Sequence, residues 1–124
     1  MSWYAASVIF VFKVRSGEQK RFPVWENVYL IEADTDAAAL QKAEKIGKEQ
    51  LVDDDTLTVD GRPADLKYCG VRKLITIQNP FPAAPNDAPP SQGTEITYSA
   101  FSLDSERDIE KLVRGCPVSV LYEE

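Results

Sequence analysis

Histidine is missing from this 124-residue chain. Every arrangement that needs an imidazole is therefore excluded: a Ser-His-Asp triad, a Cys-His dyad and a His-ligated zinc site. Cysteine is nearly as scarce. Cys69 and Cys116 stand far apart and form no Cys-x-x-Cys pair. They read as reduced structural thiols rather than nucleophiles, because nothing here can activate them. Positive charge is the minority sign, with 14 Lys and Arg against 20 Asp and Glu and a net charge of −6. Phosphate contacts need a positive surface, so nucleic acid is not expected as a partner. The apolar run at residues 3–12 is shorter than the about 20 residues that span a bilayer. Its first positive side chain, Lys13, follows the run instead of preceding it, which is the reverse of a secretory signal. No membrane partner is expected, and the setting is read as intracellular and cytoplasmic. Glycine-rich phosphate loops are absent too, and the sequence implies no cofactor and no metal.

What is present fits one α+β domain over residues 1–124. The hydrophobic share of 44% and charged share of 27% are those of a globular chain. Residues 3–14 alternate, with Tyr4, Ala6, Val8, Phe10, Phe12 and Val14 on one face. That period of two predicts a strand. The other face, Trp3, Ala5, Ser7, Ile9, Val11 and Lys13, is less polar than a solvated face should be. A second strand spans residues 22–33, with Phe22, Val24, Val28 and Leu30 on one side and Trp25, Tyr29 and Ile31 on the other. Thr35 is a helix N-cap with Asp36 at the positive helix end. The helix is expected to run to about Val52, burying Ala39, Leu40, Ala43, Ile46, Gly47 and Leu51. Gly47 costs helix propensity, which close helix–sheet contact would explain.

Three carboxylates follow at Asp53, Asp54 and Asp55. Their spacing does not match an EF-hand loop, so they read as solvated surface. Residues 56–59 form a short strand and Asp60-Gly61 a hairpin turn. The return strand runs to Ile77, and its apolar phase changes across Gly70, as at a β-bulge. Five of the eight prolines fall in residues 80–93, an extended loop. A strand at 94–103, a short helix capped by Asp104 or Ser105 and a strand at 117–122 complete the order β-β-α-β-β-β-α-β. The short helix is expected to bury Ile109, Leu112 and Val113 and to stop at Gly115. The fold expected is a twisted antiparallel sheet with one long and one short helix, the long one on one face and the short one on that face or at an end.

Three stretches carry a family resemblance. They are SWYAASVIF at the start, WENVYLIEADTDAAALQKAEKIG, and DGRPADLKYCGVRKLI, with GTEITYSAF after them. In this order and spacing the chain resembles an uncharacterised bacterial family known only as a domain of unknown function. The resemblance implies the fold and a cytoplasmic setting. It carries no catalytic residue over.

Three functions of different class are compatible with the residues. A non-catalytic module that self-associates as a homodimer or higher homo-oligomer is supported by large apolar residues on both faces of the first two strands. Its candidate interface is Trp3, Ile9, Val11, Trp25, Tyr29 and Ile31. An immunity or antitoxin-type role, an acidic chain meeting a basic protein partner, is a version of it. A small-molecule or peptide binder is the second reading. The basic run Arg62, Lys67, Arg72 and Lys73 is either its ligand strip or the charge that guards an edge strand. The third is a carboxylate-based hydrolase using Glu26 or Glu32, whose acids would rise in pKa on an apolar face. Against it, the same two residues can sit at rims or pair with lysines and arginines.

Overall fold

The computed structural model describes residues 1–51, 54–78 and 88–124. Strand β1, Ser2–Val14, is the centre of the molecule. It pairs antiparallel with β2, Val24–Ala33, on one side and with β4, Arg62–Ile77, on the other. The short strand β3, Thr58–Val59, joins the end of β4, giving the order β2-β1-β4-β3. Flanked on both sides, β1 is buried on both faces. Tyr4, Ala6, Val8, Phe10 and Phe12 are buried on one, Ala5, Ser7 and Val11 on the other. Burial of a side chain such as Phe10 contributes about 1.5–3 kcal/mol.

Helix α1, Asp36–Glu49, begins at Thr35, whose side chain accepts from the Ala38 N–H. It ends three residues earlier than the sequence suggests. Its buried stripe is narrower than expected: Ala39, Ala43 and Gly47 are buried, whereas Leu40 and Leu51 are exposed. The stripe consists of the small residues at i, i+4 and i+8, which lets the helix axis lie close to the sheet. A Cβ on Gly47 would stand 2.7 Å from the Tyr68 ring and 2.9 Å from Val8. Two apolar clusters result. One joins Tyr4, Ala6, Ile31 and Ala33 to Ala39 and Ala43 under α1. The other gathers Phe12, Val59 and Ala64 near the hairpin.

Asp60 and Gly61 both have positive φ, 51° and 79°, and form the two-residue turn between β3 and β4. This is the type I′ geometry that suits the twist of a hairpin. The phase change at Gly70 proves to be two bulges. Ser7 faces Lys73 and Val8 faces Val71, leaving Arg72 over; Ile9 faces Gly70 and Phe10 faces Tyr68, leaving Cys69 over.

The expected strand at 94–103 shrinks to β5, Phe101–Ser102, and that at 117–122 to β6, Leu121–Tyr122. Among the described residues these pair only with each other. Helix α2, Glu106–Val113, is capped by Ser105 and closed at Gly115. The Gly115 N–H donates to the Leu112 carbonyl and the Cys116 N–H to that of Lys111, the reciprocal pattern of a Schellman stop. The expected burial of Ile109, Leu112 and Val113 does not occur. No residue of α2 is buried and Val113 is 81% exposed, because among the described residues the helix packs on no other helix or strand. Most of the loop at 80–93 lies outside the described residues; Ser91 and Thr94 form a turn at its end.

Candidate functional site

One face of the sheet lies under α1; the other is the candidate surface. Antiparallel partners share a face. Ser7 opposes Val28, Ile9 opposes Glu26 and Val11 opposes Val24, so these belong to the face away from α1. Phe10 opposes Trp25, Ala6 opposes Tyr29 and Tyr4 opposes Ile31, so these belong to the helix face. The six candidate interface residues therefore do not form one surface. Trp3, Ile9 and Val11 lie on one side, and Trp25, Tyr29 and Ile31 on the other. Ile31 is buried under α1, and Trp25 packs edge-on against Phe12 at 4.9 Å. The residues that accompany Ile9 and Val11 on the far face are Val24, Val28 and Leu30 of β2. All three are exposed, at 52%, 43% and 50%.

The basic run is also divided. Arg62 donates to the Glu18 carbonyl in the β1–β2 connection. The Lys67 residue is exposed. Arg72 and Lys73 converge instead on one carboxylate. Arg72 Nη1 lies 3.0 Å and Lys73 Nζ 3.1 Å from Glu124 Oε1. The Arg72 bulge explains how neighbouring residues reach the same group, since a bulge re-aims a side chain. Arg72 also pairs with Glu26 at 3.2 Å, and its guanidinium lies 4.6 Å from the Tyr122 ring centre. Lys73 donates to the Tyr98 carbonyl. The Ala100 N–H donates to Glu124 Oε2. This donor, with Lys73 and Arg72, holds the Glu124 carboxyl down to about 2 against the opposing effect of burial. Glu124, Tyr98, Ala100 and Tyr122 are residues that sequence reasoning missed. They lie more than twenty residues from Lys73, and no local pattern marks the contact.

Glu26 and Glu32, either of which the hydrolase reading would use, do not stand as a pair. Glu26 and Glu32 share a face of β2 but stand six residues apart, roughly 20 Å along an extended chain. Two cooperating carboxylates stand about 5–10 Å apart. Glu26 is instead the partner of Arg72. Of the acidic run, Asp54 accepts from the Thr56 N–H and hydroxyl, and Asp55 pairs with Arg15 at 3.1 Å. Asp53 lies outside the described residues. An open groove of about 550 Å³ lies between the end of α1 and β4, walled by Leu51, Leu57, Leu66 and Tyr68 among others. No helix among the described residues is long and apolar enough to cross a membrane.

These features define an α+β domain with one helix-covered sheet face and one face that carries an ion cluster beside exposed aliphatic residues. The chain belongs to the family described as Domain of unknown function (DUF4288), whose model matches residues 3–97. The match takes in the four-stranded sheet and α1, and β5, α2 and β6 follow it. Neither the curated proteins nor the solved structures contain a match to the chain.

Proposed function

We propose that this protein is a non-catalytic interaction module that self-associates through the free edge of β2. The contrast between the two long edges of the sheet carries this reading. Strand β4 carries Lys67, Arg72 and Lys73, and its pairing with β1 is broken by two bulges. Charges and bulges are the means by which natural sheets discourage strand addition. The β2 edge is less guarded: its ten residues contain no Lys, Arg or Pro, its charges are Glu26 and Glu32, and its pairing with β1 runs without a register shift. It also presents Val24, Val28 and Leu30 to solvent. A second copy is the occupant that fits best. Antiparallel pairing about Val28 would set Val28 against its own copy and Glu26 against Leu30, so no two like charges meet. Such a two-fold contact is the commonest form of homo-oligomer.

Light scattering at micromolar concentration is the test. The wild type should be a dimer, and Val28→Lys and Leu30→Glu should be monomers with unchanged far-ultraviolet circular dichroism. A monomeric wild type that the substitutions leave unaltered overturns the reading. We place the protein in the cytoplasm, in keeping with two exposed free thiols. A small-molecule or peptide ligand is the second reading, favoured by the groove beside Tyr68, which Leu51, Leu57 and Leu66 share with Lys48, Asp54, Asp65 and Lys67.

A further inference from the structure

The chain beyond residue 88 lacks what normally holds a segment to a domain. Not one described residue from 88 to 124 is buried, although the segment contains Ile96, Tyr98, Ile109, Leu112, Val113, Leu121 and Tyr122. Its two strands are two residues long and pair with each other alone. Its attachment to the sheet is polar: the Glu124 side chain, only 10% exposed, lies between Arg72 and Lys73. The clamp is balanced. Two cations face two carboxylates, Glu26 from β2 and Glu124 from the C-terminal arm. Glu26 reaches Arg72 across the central strand: Glu26 opposes Ile9, and Arg72 is the residue left over at the Ser7–Val8 bulge. If Glu124 leaves, Glu26 still orients and neutralises Arg72, and one positive charge is left to receive one carboxylate.

We infer that Arg72 and Lys73 form a carboxylate-binding clamp for an acidic side chain on a peptide strand, which the chain fills in cis with its own Glu124. The Tyr122 ring against Arg72 comes with the occupant, and the Tyr98 ring lies 5.3 Å from Lys73. Guanidinium–aromatic stacking and charge-assisted hydrogen bonds both favour an acidic residue preceded by aromatic sequence. The clamp stands whether or not β2 pairs with a second copy.

The probe is a C-terminally amidated peptide of residues 119–124, SVLYEE, so that side chains alone offer carboxylates. Titrated calorimetrically into the full-length chain, it should bind Glu124→Gln at least about tenfold more tightly than wild type. A tethered occupant acts at millimolar effective concentration and competes with the free peptide. A peptide with Gln in place of the last Glu should bind neither protein. Adding Arg72→Gln to Glu124→Gln should abolish binding. As a second route that needs no variant, excess peptide added to wild type should speed amide exchange in residues 94–103. Equal binding by wild type and Glu124→Gln, equal binding by the Gln peptide, or no binding together with unchanged exchange overturns the proposal.

Discussion

Glu124 shows how much a single side chain governs here. Its carboxyl is held at about 2, chiefly by the Ala100 N–H and further by Lys73 and Arg72. A carboxyl depressed in the folded state contributes stability that is present above its ordinary value, about 4.3, and is lost as pH falls through the folded value. Docking of the C-terminal arm should therefore be as complete at pH 5 as at pH 7, and should fail only between about pH 4 and pH 2. Amide exchange of residues 94–103 across that range measures it. Release already complete at pH 5 would show that Glu124 is not the anchor. Nothing in the sequence singles out Glu124, because its partners come from a strand about fifty residues away. By contrast Thr35 was legible from its type and from Asp36 beside it, since capping is a local interaction.

Among the elements, α1 and β1 were the most legible, because their periodicities reflect burial directly. The weak point was which face of β2 continues which face of β1. Alternation gives each strand two faces, but only the register joins them, and the Ser2–Ala33 pairing sets Trp25 with Phe10 rather than with Ile9. For α2 the amphipathic pattern marks a helix but not burial. An apolar stripe states what a helix is able to cover, not that a surface is there to be covered. The α1–sheet contact makes its own prediction. Ala is favoured over Gly within a helix by about 1 kcal/mol. At position 47 the added methyl meets Tyr68 and Val8 at under 3 Å, and overpacking costs about 1–3 kcal/mol. Gly47→Ala should therefore lower the melting temperature, and a rise would mean that the Tyr68 ring yields freely.

At the scale of the whole molecule, every buried apolar residue among the described ones lies between Tyr4 and Ile77. Folding should then depend little on the connection to the arm. Replacing residues 81–91 by a Gly-Ser linker should leave the melting temperature within a few degrees, since each doubling of loop length costs only about 0.6 kcal/mol. A large drop in a calorimetric scan would place Phe81 or its neighbouring prolines in the structural core. The fold class was legible because the sheet and α1 are built from local periodicity and turn residues. The short β5–β6 ladder was not, since its alternating residues stand outside any shared core.

The unlike edges of the sheet also set how far an assembly can grow. If β2 joins a copy of itself, both joining edges are consumed, and the pair ends outward on two β4–β3 edges. The bulged strand β4, with its lysines and arginines, then lies toward either extremity. Each molecule has a valence of one, so the continuous sheet stops at eight strands, and no filament can propagate from a contact that would otherwise be an open template for fibres.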